Sequence, residues 1–343
     1  MRSVSIIIPN WNGKDLLRSY LPSVLAAAAQ YGGQAEIVVV DDGSSDGSVD
    51  MLHRKFFGVK VIAHRHNKGF GRACWSGAAA TGQAVLIFLN SDVSVEPDFI
   101  EPLVNYFEDP SVFAVSPLIF NDNGTLSDVT ISIPYLRRAK IRYRPFPVDC
   151  LLAKNAVLAQ PWVTLFPIGG AFAVDRRRFM QLQGFDDLFA PFYYEDTDLG
   201  FRAWRRGWKC IVAPGSRVTH FHRGTIARTF SQYKVRAIRK RNRLLFHWKN
   251  FTSPGLLRRH LLMQLLRLCY RPFCLDTMIV VATAFALGSF GKAMDRRRVE
   301  QRYTVCSEEE IFRMIAAAND KNRRMIPTHA ASFRGVSKVQ EGN

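Results

Sequence analysis

The chain has 343 residues, 48% hydrophobic and 22% charged, a globular composition, not a disordered or fibrous one, and sufficient for one large domain with an appendage. The net charge of +18 is uneven: residues 1–200 hold 18 Lys+Arg and 21 Asp+Glu, residues 201–343 hold 29 and 8, so the halves carry −3 and +21. Six scattered cysteines without CxxC spacing indicate neither a zinc site nor a disulfide framework, and a reduced cytosolic protein is expected.

Val4 to Ile8 reads as a strand, and no basic-then-apolar leader precedes it, so export is not expected. Further strands are expected at Glu36 to Val40, Val59 to Ala63 and Val85 to Leu89, separated by helical stretches at Leu16 to Gln30 and Gly71 to Ala80. That alternation predicts a parallel α/β sheet. The second strand runs into Asp41-Asp42-Gly43-Ser44, where the acids either shape the turn or accept hydrogen bonds from a nucleotide. Asn67-Lys68-Gly69-Phe70-Gly71 opens a helix made of small residues. Its glycines allow a ligand close to the backbone, and its spacing matches neither a dinucleotide fingerprint nor a P-loop.

The run from Val85 to Leu89 is unbroken and apolar, then stops at Asn90-Ser91-Asp92. A buried strand would deliver Asp92 to the sheet edge where open α/β sheets bind ligands, and one carboxylate with substrate phosphates is a usual way to hold Mg²⁺ or Mn²⁺. The alternative is that Ser91 or Asp92 caps the next helix. Residues 121–160 offer no motif and read as a connecting insertion.

Gly169-Gly170 leads an apolar strand and leaves room for a sugar against backbone. Phe192-Tyr193-Tyr194-Glu195-Asp196-Thr197-Asp198 then sets three acids among aromatics. They either begin a helix favourably or include a partly desolvated base able to deprotonate a hydroxyl. His220 and His222 alternate on one strand face, where an imidazole near a diphosphate could ligate a metal or donate to the leaving group.

In this order, Ile7-Ile8-Pro9-Asn10-Trp11-Asn12-Gly13, Asp41-Asp42-Gly43-Ser44, Asn67-Lys68-Gly69, Asn90-Ser91-Asp92, Gly169-Gly170 and Glu195-Asp196-Thr197-Asp198-Leu199 resemble the family-two glycosyltransferases, most closely their rhamnosyltransferase-like members. The resemblance covers residues 4 to about 250. It implies an α/β GT-A fold, Rossmann-like, with a mostly parallel central sheet flanked by helices, and inverting transfer of a sugar, rhamnose by this likeness, from a nucleotide-diphosphate sugar such as dTDP-rhamnose. The acceptor would be a hydroxyl of a glycan or lipid-linked glycan in cell-surface polysaccharide synthesis. Carried over by residue, Asp196 is the general base with Glu195 its neighbour and competitor, and Asp92 with His220 holds a divalent metal. Pro9, Asn12, Asp41, Asp42, Asn67, Gly69, Asn90 and Arg243 border the donor; Gly169, Gly170 and Trp204 border the acceptor. Where the family has Asp-X-Asp this chain has Asn90-Ser91-Asp92, which leaves one certain carboxylate ligand.

From Arg223 to Arg271 there are 13 Lys+Arg and no acid, interleaved with aromatics. Such a stretch suits nucleic acid or an anionic lipid surface; within the glycosyltransferase reading lipid is expected and nucleic acid is not. The protein is then peripheral at the inner face of the cytoplasmic membrane. Arg241-Asn242-Arg243 is expected to contact acceptor or donor phosphate. Thr277 to Gly291 is uncharged over 15 residues, short of the roughly 20 needed to span a bilayer, and reads as interfacial, buried or dimerising. The expected division is a catalytic domain over 1–225, a basic helical extension over 226–326 and a loose tail over 327–343. Two rival readings are a nucleic-acid-binding protein and a catalytically silent scaffold; intact Asp92 and Asp196 speak against the second.

Overall fold

A computed structural model describes residues 1–145, 160–221, 229–270, 277–320 and 322. In chain order the elements are β1 (Val4–Asn10), α1 (Lys14–Gln30), β2 (Ala35–Asp41), α2 (Ser48–Lys55), β3 (Lys60–Ala63), α3 (Phe70–Ala79), β4 (Val85–Leu89), β5 (Val93–Val95), α4 (Ile100–Val104), β6 (Val112–Asn121), β7 (Ser132–Arg137), β8 (Lys140–Pro145), β9 (Trp162–Thr164), β10 (Ala171–Asp175), α5 (Arg176–Gln181), α6 (Glu195–Arg205) and β11 (Lys209–His220). Five helices complete the described chain: α7 (Gln232–Asn250), α8 (Pro254–Tyr270), α9 (Met278–Leu287), α10 (Phe290–Gln301) and α11 (Glu308–Ala318).

The main sheet has the order β3-β2-β1-β4-β10-β6-β11-β5, with β9 beside β11. Strands β3, β2, β1 and β4 are parallel, as the alternating pattern predicts. Every residue of β4 is buried, the fate of a strand covered on both faces. Helix α3 lies close to β1 because it is built from small residues: a Cβ on Gly77 would stand 2.5 Å from Ile7 Cγ2. Beyond β4 the sheet turns mixed, since β10 runs antiparallel to both β4 and β6. Its first residue pairs with the last residue of β4, so β10 begins at the edge where β4 ends.

The segment read as a featureless insertion contains a two-stranded hairpin, β7–β8, docked from below by two histidines. His247 Nε2 accepts the Ile141 N–H at 2.9 Å, and His260 Nδ1 lies 2.7 Å from the Ala139 carbonyl oxygen. Burial pushes both imidazoles down, His260 to about 4, so both are neutral at pH 7 and suited to these neutral hydrogen bonds.

The expected boundary at 225/226 and the tail 327–343 lie outside the described residues. Past the boundary the basic helices share the core of the sheet domain: Leu245, Phe246, Trp248, Phe251, Ile311 and Ile315 join the same apolar cluster as Phe201 and Trp204. Among the described residues no single helix is long and apolar enough to cross a membrane; α9 and α10 pass as a pair bent by 63°.

Candidate active site

Three loops leave the carboxyl ends of β1, β2 and β3 and are laced together. Asn10 Nδ2 donates to Asp41 Oδ2 at 2.9 Å, and Asp41 Oδ1 accepts from Ser44 N at 2.9 Å. Asn12, in a left-handed conformation at φ 51°, receives Ser45 N–H on its side-chain oxygen at 2.8 Å. Asp42 accepts from the backbone N–H groups of Lys68 and Gly69 at 2.9 and 2.8 Å, and its Oδ1 lies 2.7 Å from His64 Nδ1. Asn67 Oδ1 also receives the Gly69 N–H, at 3.0 Å. Both aspartates are buried, and the hydrogen bonds they accept set the shape of the trough. His64 escaped the sequence reading, because only the fold brings it beneath Asp42. Pro9 lies half-buried in β1, just before Asn10.

Next along the edge, β4 delivers the group expected of it. Asp92 is buried, and its Oδ1 stands 3.1 Å from His220 Nε2 at the end of β11, 128 residues away in sequence. The Asn90 N–H donates to the Gly170 carbonyl at 2.8 Å. Gly170 has φ +109°, and a Cβ there would meet His220 Cε1 at 3.3 Å and Asn90 Nδ2 at 3.6 Å. A side chain at 170 would crowd the space before both groups. His222 lies outside the described residues.

Gly169 closes the ring of expected residues. Its N–H donates to Asp196 Oδ2 at 3.2 Å, and a Cβ would come within 2.8 Å of that oxygen. The paired glycines thus connect Asp196 on one side with Asn90, His220 and Asp92 on the other.

Asp196 and Glu195 open α6, reached through Tyr193 and Tyr194 at φ 70° and 78°, a region non-glycine residues seldom occupy. Asn242, fully buried on α7, holds this turn: its amide nitrogen lies 2.7, 2.9 and 2.9 Å from the carbonyl oxygens of Phe189, Phe192 and Tyr193. Burial raises both carboxyls, Glu195 to about 8 with the neighbouring Asp196 charge adding to the effect. They differ in partners. Asp196 Oδ1 accepts from Thr197 N at 2.6 Å and Oδ2 from Gly169 N, whereas Glu195 Oε2 is buried with no hydrogen-bond partner among the described residues. Donors favour the ionised form. The pair therefore holds its charge on Asp196 and its proton on Glu195.

The third acid has another task. Asp198 is fully buried and binds Arg202 Nε and Lys249 Nζ, each at 2.7 Å, and Asn250 Nδ2 at 2.8 Å, tying α6 to α7.

Two expectations need correction. Trp204, expected at the acceptor, is 1% exposed and donates its indole N–H to the Thr164 carbonyl at 2.9 Å; it is a core residue. The phosphate contact expected of Arg241-Asn242-Arg243 does not suit its first two members. Asn242 is spent on the turn, and Arg241 donates to the Ala190 carbonyl at 3.0 Å and to Ser289 Oγ at 3.1 Å. Arg243 is different: its Nε is buried without a hydrogen-bond partner among the described residues, and its charge opposes the upward push of burial on the Tyr194 hydroxyl. Tyr143, from the supposed insertion, brings a buried hydroxyl near Asp196 and Tyr194.

Asp92 Oδ1 and His220 Nε2 lie 3.1 Å apart, an oxygen and a nitrogen side by side, and among the described residues no group of three His, Cys, Asp or Glu could hold a metal unaided. The donor set fits a divalent ion whose remaining positions are filled by phosphate oxygens and water.

Residues 5–165 match the family model described as glycosyl transferase family 2. Polypeptide N-acetylgalactosaminyltransferase 10 of Rattus norvegicus is 30% identical over 250 residues, 68% of this chain and 39% of that protein. The chain thus spans about two-fifths of that relative's length. Among solved structures, GalNAc-T7 with UDP, GalNAc and Mn²⁺ superposes with a TM-score of 0.63 at 19% identity, over 95% of this chain and 59% of the other. The mannosyltransferase PcManGT of Pyrobaculum calidifontis, in complex with GDP-Man and Mn²⁺, gives 0.51 at 17% identity, over 93% and 87%. At these identities the likeness is one of fold.

Proposed function

We propose, for a chain that carries a family 2 glycosyl transferase segment on the GT-A fold, that it moves a sugar from a nucleoside-diphosphate sugar to an acceptor hydroxyl with inversion at the anomeric carbon. The observation that carries this reading is the meeting, at Gly169-Gly170, of a hydrogen-bonded carboxylate with the Asp92–His220 pair. The donor lies over the loops of β1 to β4, bordered by Asn12, Asn67 and Gly69, with Asp41 and Asp42 shaping its nucleoside end. Asp196 takes the proton of the acceptor hydroxyl as that oxygen bonds to the anomeric carbon and the bond to the diphosphate breaks. No covalent intermediate is needed, and Glu195, holding its own proton, leaves the ionised role to its neighbour. Asp92 and His220 would hold the divalent cation that steadies the departing diphosphate. Arg243 adds a positive charge beside Tyr194, next to the acid pair.

The Mn²⁺ and nucleotide named with the structural neighbours support the donor class and the metal. The motif set resembles enzymes using dTDP-rhamnose, whereas the named relatives concern GalNAc and mannose. The acceptor we propose is a glycan or lipid-linked glycan met at the inner face of the cytoplasmic membrane.

Thermal shift against dTDP-rhamnose, UDP-GalNAc and GDP-mannose, each with and without Mn²⁺, tests this reading. One nucleotide sugar should stabilise the protein in a metal-dependent way, and Asp92→Asn should remove the metal dependence. Undiminished turnover in excess chelator would remove the metal from the proposal.

A further inference from the structure

Helix α8 presents its apolar side outward. Its buried residues are His260, Gln264 and Arg267, a polar stripe, while Leu262 and Leu265 on the opposite side are 57% and 59% exposed, with Leu261, Leu266 and Tyr270 exposed beside them. A surface helix ordinarily has these two faces the other way round. The orientation is fixed from within, since His260 meets the Ala139 carbonyl and Gln264 Nε2 donates to Thr283 Oγ1 of α9 at 3.1 Å. Helix α9 continues the apolar surface with Phe285, 61% exposed, and with Val280 and Leu287.

The surroundings say what covers this face. Arg258 and Arg259 are exposed at the amino end of the leucine stripe, within the stretch of 13 Lys+Arg and no acid from Arg223 to Arg271. A second copy seated on the same face would bring Arg258 and Arg259 of both chains towards one another, which is unfavourable. A leaflet of anionic lipid offers hydrocarbon to the leucines and negative headgroups to the arginines.

We propose that α8 and α9 seat the protein on an anionic lipid leaflet, with the leucine stripe of α8 and the Phe285 end of α9 entering the boundary between headgroups and acyl chains. A cavity of about 710 Å³ lies beside α9, lined by Ala190, Tyr233, Lys234, Arg241, Phe285 and Ser289 among others; Ala190 precedes Glu195 by five residues in the chain. Arg241 bridges Ser289 at the end of α9 to the Ala190 carbonyl. Resting on the glycosyltransferase reading, this makes the acceptor one presented from a lipid surface.

Flotation with vesicles of phosphatidylglycerol and phosphatidylcholine, against phosphatidylcholine alone, tests the proposal. The protein should float with the anionic vesicles and be partly released by salt. The triple substitution Leu262→Gln, Leu265→Gln, Leu266→Gln should lower binding at least about tenfold, since each buried leucine contributes more than that factor. Melting temperature and the thermal shifts with dTDP-rhamnose, UDP-GalNAc and GDP-mannose, each with Mn²⁺, serve as controls for the fold and the catalytic reading; no shift with any of the three and intact flotation would sink the latter alone. Equal flotation of the triple variant, or none by the parent, overturns the lipid proposal. So does a parent dimer in buffer that the triple substitution makes monomeric, which would assign the face to a second copy.

Discussion

Glu195 and Asp196 are adjacent, carry the same functional group, and are separated in role by what touches them. The donors around Asp196 hold its charge in place, and the lone buried oxygen of Glu195 keeps a proton to about pH 8. Asp196→Asn should therefore lower kcat by about 10²-fold or more with donor Kd nearly unchanged, and Glu195→Gln should cost less. A larger loss at Glu195 would reverse the assignment. A second consequence concerns stability. A carboxyl whose folded pKa lies above its unfolded one stabilises most at low pH, and that contribution is lost as pH rises from about 4.5 to about 8. Glu195→Gln should thus raise the melting temperature more at pH 9 than at pH 5; an equal gain at both would mean the carboxyl is not held protonated. The acid pair was legible in sequence as aromatics followed by acids, and the resemblance put the base at Asp196; the residue pattern alone does not show which acid carries the charge, because one of the two backbone donors to Asp196, Gly169 N–H, comes from 27 residues upstream.

The turn that carries these acids has two consecutive tyrosines in the left-handed region, each costing roughly 1–2 kcal/mol. Asn242 of α7 offsets this by meeting the turn's carbonyl oxygens from beneath. Asn242→Ala should lower kcat well beyond any change in donor Kd, because the base moves while the nucleotide loops stay, and should also lower the melting temperature by leaving buried carbonyls unpaired at about 1–3 kcal/mol each. If kcat survives while stability falls, Asn242 only fills space. The run Arg241-Asn242-Arg243 stood out in sequence for its charge, which suggested phosphate. Its middle member's work was invisible there, since a buried asparagine and an exposed one look alike until their partners are placed. Trp204 was placed at the acceptor by the resemblance alone; the partner that marks it as a core residue, the Thr164 carbonyl, lies 40 residues upstream.

Across the whole molecule, the basic helices brace the sheet domain. Arg205 of α6 is buried and pairs with Glu308 at the start of α11 at 2.8 Å, while donating to the Asn250 carbonyl at 2.7 Å. Glu308→Ala should destabilise the protein by about 3–5 kcal/mol, the cost of stranding a buried guanidinium, and should show as a drop in denaturant midpoint of the single unfolding transition. Separate transitions for the two regions would show that they fold independently. The alternating pattern of the first hundred residues revealed the parallel half of the sheet, because β1, β2 and β3 pair with neighbours close in sequence and the unbroken apolar run of β4 marks it as a buried strand, though it returns to pair with β1. The mixed half, with β5, β6, β9, β10 and β11, depends on pairings across long separations, and the β7–β8 hairpin forms a sheet of its own; composition gives little warning of either.

The reversed direction of β10 has a further consequence. The candidate donor loops after β1, β2, β3 and β4 sit on strands that finish at the site, whereas β10 starts there, so the chain passes Gly169-Gly170 before it enters the sheet. The described strands between β6 and β10 pair with one another or with β11 and not with β1, β2 or β4, so changes in length there should alter what the site meets before they alter that pairing. One stretch of gene can thus diversify the product while another keeps the activated sugar, a division of heritable labour set by the direction of a single strand.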